Sequence, residues 1–64
     1  MSSFDLDAWL LAIDPRLVEE AGPTLREHFF DTLEALIRLQ DKDNEVLKLK
    51  LGMFRLIQGA VVRN

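Results

Sequence analysis

Residues 47–64 read LKLKLGMFRLIQGAVVRN. The first five alternate strictly, Leu47-Lys48-Leu49-Lys50-Leu51, which by periodicity alone is the signature of a half-buried strand. After Gly52 the spacing changes, and apolar residues at 53, 54, 57, 60 and 61 recur as they do on a helix. The two halves point to different fold classes. A strand needs a partner for its backbone N–H and C=O groups, and no other run of the chain alternates well enough to be one. The alternation therefore reads as the end of one helix and a linker into the last, which runs from about Leu51 to Val62. Leu47, Leu49 and Leu51 then turn inward, and Lys48 and Lys50 outward. Gly59, inside this helix, costs about 1 kcal/mol relative to alanine and suggests the close approach of a neighbour.

Upstream of this stretch the pattern is helical and the pieces are short. LDAWLLAI places Leu6, Trp9, Leu10 and Ile13 on one apolar stripe. Ser3 or Asp5 supplies its cap, and Asp14-Pro15 ends it, because a residue before proline is pushed out of the helical region. Pro15 at a first helical position, capped by Asp14, suits a short turn through Leu17 and Val18. In GPTLREHFF, Leu25, Phe29 and Phe30 are candidates to face inward. Thr24 and Glu27 have capping-box spacing there, while Pro23 equally suits the first turn of a longer helix. In DTLEALIRL, Asp31 is the expected cap, Glu34 falls at the third helical position, and Leu33, Leu36, Ile37 and Leu39 are the packing set. DKDNEVLK is another short helix, with Asp41 or Asp43 at the end where the helix dipole favours negative charge. The expected fold is an all-α compact five-helix bundle, four short helices and a longer C-terminal one.

Sixty-four residues make a single domain spanning 1–64, whether alone or as a module of a longer protein. There is no cysteine, so no disulfide staples it and no thiolate chemistry is available. One histidine, His28, excludes a His-rich metal site. The longest apolar run, AWLLAI, is far below the roughly 20 residues that span a bilayer, and MSSFDLD has no basic leader region. These features read as an intracellular, cytoplasmic or nuclear domain held together by packing alone. Charge is unevenly shared. Residues 1–41 carry three arginines against nine carboxylates, and residues 42–64 carry five cations against two carboxylates. A two-faced molecule of this kind suggests electrostatic association, with itself or with another chain.

The order of elements resembles the sterile alpha motif (SAM) domain, over nearly the whole chain. The residues that carry the resemblance are DAWLLAI with Trp9 and Leu10, then PTLREHFF, then FDTLEALIRL with Leu33, Leu36 and Leu39, the acidic DKD, and LGMFRLIQGAV with Leu51, Gly52, Arg55, Ile57 and Val61. The chain departs from the family pattern at Ala21, where an aromatic is common, and at Phe29, where glycine is common. It also has Leu47-Lys48-Leu49 for the usual Leu-Gly-Ile, and its arginine falls one position late after Gly52. The resemblance implies a five-helix interaction module that associates head to tail. Its end-helix surface would be Lys48, Lys50, Gly52, Met53 and Arg55. Its mid-loop surface would be drawn from Asp31, Glu34, Asp41, Asp43 and Glu45. The partners implied are other SAM domains, identical or different.

The residues support binding over catalysis. Gly22, Gly52 and Gly59 are isolated, so there is no phosphate loop. Ser2 and Ser3 lack a His-acid pair, and nothing sets two carboxylates about an apolar pocket. No enzyme activity, cofactor or metal is expected. His28 reads as a surface helix residue and Glu19-Glu20 as a solvated edge. Phe54 aligns with Ile57 and Val61 as core, while Met53 has two readings, an anchor ringed by Lys50 and Arg55 or a further core residue. An alternative function is RNA-hairpin binding through Lys48, Lys50, Arg55 and Arg63. The net charge of −3 opposes it, because phosphate contacts dominate such affinity.

Overall fold

A computed structural model describes residues 4–63, the side chain of Arg63 excepted. Ser2, Ser3 and the Arg63 side chain, each named above, lie outside the described residues. All regular structure among the described residues is helical: α1 (Leu6–Ile13), α2 (Arg16–Glu20), α3 (Gly22–Glu27), α4 (Leu33–Leu36), a 3-10 turn (Asp41–Asp43) running into α5 (Asn44–Leu47), and α6 (Leu51–Arg63). None of these helices is long and apolar enough to cross a membrane. The expected all-α bundle of short helices and one longer terminal helix is what forms, with α2 as the turn through Leu17 and Val18.

Each helix gives the core one or two side chains. Leu6 and Leu10 come from α1, Leu17 from α2, Leu25 from α3, Leu36 from α4, Leu47 from α5, and Phe54 and Ile57 from α6. Trp9, Ile13 and Val61 pack against them from the half-buried margin. With helices this short, tertiary burial rather than helix propensity holds the chain; each fully buried Leu or Phe is worth about 1.5–3 kcal/mol.

The local stops and starts are chemical. Asp5 accepts from the Ala8 N–H (3.2 Å) and caps α1. At the other end Asp14 is extended, and its N–H donates to the Leu10 carbonyl. The same Asp14 then serves α2. Its carboxylate accepts the Arg16 backbone N–H at 2.9 Å, Nε at 3.1 Å and Nη2 at 2.7 Å. The Arg16 side chain, and after it the Arg16 backbone N–H, hold the Asp14 carboxyl down at about 2. A lowered carboxylate favours the fold above its ordinary value and loses that contribution as pH falls through the folded one. The window here is about pH 4 down to about 2. NMR titration should show Asp14 near 2, and Arg16→Ala should raise it while the surviving backbone N–H keeps it below the ordinary value. An unmoved Asp14 in that variant would put the cause elsewhere.

Four expectations about facing are corrected, each by where a helix ends. Phe29 is 80% exposed, not inward. Helix α3 stops at Glu27, and Phe29 takes a left-handed conformation (φ 62°) beyond it. The Phe30 N–H donates to the Leu25 carbonyl (2.7 Å) and the Phe29 N–H to that of Arg26 (3.1 Å). This is a Schellman closure, in which the left-handed residue is usually glycine; a side chain there costs about 1–2 kcal/mol. Phe30, not Phe29, packs on the core.

Helix α4 is one turn, so only Leu36 and the half-buried Leu39 can face in, and Leu33 and Ile37 are exposed. Its cap is Thr32, whose Oγ1 accepts the Ala35 N–H at 3.1 Å, rather than Asp31. Glu34 is therefore the second helical residue, not the third. Helix α3 begins at Gly22 with Pro23 in its first turn, and Thr24 does not cap it.

Leu47 and Leu49 are buried as the alternation requires, but Leu51 is 60% exposed. Once α6 begins at Leu51 the period is no longer two, and Leu51 points about 90° away from the Phe54–Ile57–Val61 stripe. Beyond the adjoining backbone of its own helix, Gly59 has no atom of the described residues within 4 Å of where a Cβ would stand, so the expected close neighbour is absent among them.

Candidate functional site

The junction of α5 and α6 is built from one asparagine. Lys48 closes α5 in a left-handed conformation (φ 57°), its N–H donating to the Asn44 carbonyl at 2.7 Å. Leu49 then turns inward. Its N–H donates to Asn44 Oδ1 (2.9 Å), and its carbonyl accepts from Asn44 Nδ2 (3.0 Å). The Asn44 amide thus gives Leu49 the two hydrogen bonds that a neighbouring strand would give, which is how an extended stretch survives without a sheet. Lys48 and Lys50, on either side of the anchored leucine, are forced outward and are exposed.

Helix α6 starts directly after. The Lys50 carbonyl accepts the Phe54 N–H at 3.0 Å, so the N–H groups of Leu51, Gly52 and Met53 lie ahead of the helical ladder. Among the described residues no side chain caps them, and the first turn holds no acid. Several other helix starts have such a partner: Asp5, Asp14, Thr32, and Asp43, whose Oδ2 accepts the Gln40 N–H at 2.8 Å; α3, which follows α2 directly, starts without one. Around the bare end stand Lys48, Lys50 and Arg55, none in an ion pair among the described residues, and the exposed apolar side chains Val46 and Leu51. Gly52 is exposed with open space about it. Met53 is half-buried against the core, between its two readings.

The five acids of the mid-loop surface are not gathered in one pocket. Asp31 borders a shallow depression with Phe4, Asp5, Leu6 and Arg26. Glu34 on α4 stands 4.0 Å from Arg38, two residues beyond the helix, both exposed. Asp43 is occupied by the Gln40 N–H. Asp41 accepts from Gln58 Nε2 of α6 at 3.2 Å, and with Arg55 it lines a small cavity of about 140 Å³. Glu45 is exposed in the first turn of α5. Two of the five therefore serve the fold, Glu34 has only the long, exposed contact to Arg38, and Asp31 and Glu45 have no side-chain partner among the described residues.

Three features escaped the sequence reading. Asn44 lay inside the polar run QDKDN, which reads only as punctuation. Arg26 Nη2 pairs with Asp7 Oδ1 at 2.6 Å and ties α3 to α1 at the surface; their separation in sequence hides it. An open cleft of about 560 Å³ runs between α1 and α6, lined by Trp9, Ala12, Ile13, Arg55, Leu56, Gly59 and Ala60. The small residues Ala12, Gly59 and Ala60 were its signal, since they leave room where two helices face each other. His28 ends α3 and is exposed, and Glu19 and Glu20 are likewise at the surface. Comparison with protein-family models, with curated proteins and with solved structures returned no match to the chain.

Proposed function

We propose that the chain is a protein–protein interaction module of SAM type, which joins its copies, or a copy and another such domain, head to tail. The observation that carries the reading is the start of α6: three cations, backbone donors that no side chain caps among the described residues, and no acid in its first turn. A helix N-terminus carries a partial positive charge that favours carboxylates, and here Lys48, Lys50 and Arg55 add to it. The exposed Leu51 and Val46 supply apolar area inside that cationic frame, as interface centres do. Asp31, Glu34 and Glu45 of a second molecule supply the acids. The two surfaces differ, so the contact is heterologous and extends into open chains unless one surface is blocked.

Sedimentation at high protein concentration and two ionic strengths tests this. The wild type should form concentration-dependent oligomers at low salt that shrink as salt screens the contact. Lys50→Glu should weaken association at least about tenfold, as reversal of a steering charge opposes encounter. Glu34→Lys with Glu45→Lys should do the same from the other side, leaving Asp41 and Asp43 to their structural bonds. Mixing the two variants should give a dimer and nothing longer. A wild type that stays monomeric at low salt would sink self-association. Tight, steeply salt-dependent binding of a labelled RNA hairpin would replace this reading with the nucleic-acid one.

A further inference from the structure

The end of α3 displays a side chain that the fold does not use. Phe29 occupies the left-handed position of the closing motif (φ 62°), where the backbone favours glycine. Its ring is 80% exposed. The aromatic thus opposes the local backbone preference and buries little in its own chain. Glu27 and Asp31, two residues to either side, are exposed acids without an ion pair among the described residues.

The surface also holds a feature of opposite character. The cleft between α1 and α6 has apolar walls from Trp9, Ala12, Ile13 and Leu56, open space at Gly59, and at its lining Arg55, a cation without an ion pair among the described residues. Phe29 is not among the residues that line it, so the chain does not fill the cleft with its own aromatic.

We infer that Phe29 of one copy inserts into the α1–α6 cleft of a second copy, with Glu27 and Asp31 meeting Arg55. An aromatic between two carboxylates is complementary to an apolar cleft bearing one cation, and a single sequence supplies both. This inference rests on the self-association reading and names an anchor and a receptor for it. The contact is again heterologous and propagates. It falls in the small, weak class of interfaces, so it is measured at about 0.1–1 mM protein.

Two substitutions separate association from folding. Phe29→Gly removes the knob and relieves the left-handed residue. Gly59→Leu places a side chain in open space, fills the cleft and replaces a poor helix former. Each should raise the melting temperature by about 4–8 °C while weakening self-association about thirtyfold, as loss of an interface anchor does. An equimolar mixture should recover a dimer and no longer species, because one variant retains the cleft and the other the knob. Emission from Trp9, the one tryptophan, should shift to the blue as the wild type associates and stay fixed in either variant. If the wild type associates, Lys50→Glu abolishes it and Phe29→Gly leaves it intact, the knob is wrong and the charge reading stands. If Phe29→Gly abolishes it and Lys50→Glu does not, the knob stands and the charge reading falls. A monomeric wild type overturns both.

Discussion

Phe54→Ala is expected to remove a third or more of the stability of the fold and to lower its thermal midpoint by at least about 12 °C. Phe54 is among the largest fully buried side chains, 2% exposed, at the point where the first turns of α6 meet the core. Truncating a buried phenylalanine costs about 3–5 kcal/mol, from lost transfer energy and the cavity left behind. Stability of about 0.05–0.15 kcal/mol per residue gives a chain of this length about 3–10 kcal/mol in all, and no disulfide adds to it. One side chain thus holds a third or more of the total. Leu56→Ala is the matched control. Leu56 is 43% exposed on the same helix, and its loss should cost well under 1 kcal/mol in the monomer, as for most surface changes. Circular dichroism during urea and thermal unfolding reads both. At about 4–8 °C per kcal/mol, Phe54→Ala should lower the midpoint by at least about 12 °C. A fall of only a few degrees would mean that α6 is held elsewhere.

The same residue shows what the sequence made visible. Phe54 and Ile57 were legible because α6 is long enough for a period of 3.6 to repeat, and Leu6 and Leu10 were legible in α1 for the same reason. Asp14 was legible as a stop because proline acts on the backbone directly. Phe29, Leu33, Ile37 and Leu51 were misplaced because each lies at or just beyond a helix end, where periodicity stops applying. The ends of α3 and α5 are set by left-handed residues, and the usual signal for one is glycine. Here the residues are Phe29 and Lys48, which announce nothing. In the candidate site, the outward lysines were readable from alternation alone. Asp41 and Asp43 were readable as helix-start acids, but not that the fold already uses them: Gln58 reaches Asp41 only in three dimensions, and the short bond from the Gln40 N–H to Asp43 lies inside the run QDKDN, which reads as punctuation.

Asn44→Ala is expected to have the second-largest effect on stability, about 2–3 kcal/mol. The substitution removes two part-buried hydrogen bonds and leaves the Leu49 N–H and C=O without partners. A made hydrogen bond contributes about 1 kcal/mol net, and a buried group left unmade costs about 1–3 kcal/mol. Leu49 is itself 8% exposed, so water reaches its backbone only if the segment moves outward. Hydrogen exchange at the Leu49 amide should therefore quicken by about thirtyfold or more, the equivalent of 2 kcal/mol in the opening equilibrium. Asn44→Asp separates the two bonds. The introduced carboxylate still accepts the Leu49 N–H, but it faces the Leu49 carbonyl with a second acceptor. That variant should lie between wild type and Asn44→Ala near neutral pH. Relative to wild type it should recover as pH falls and the carboxyl gains a proton to donate. An amide that exchanges at the wild-type rate in Asn44→Ala would mean that water replaces the side chain at no loss. If the bonds matter as argued, Lys48 and Lys50 lose their fixed outward placement with them. Asn44→Ala should then weaken self-association without touching any charge, which makes the asparagine, and not only the lysines around it, a determinant of the proposed surface.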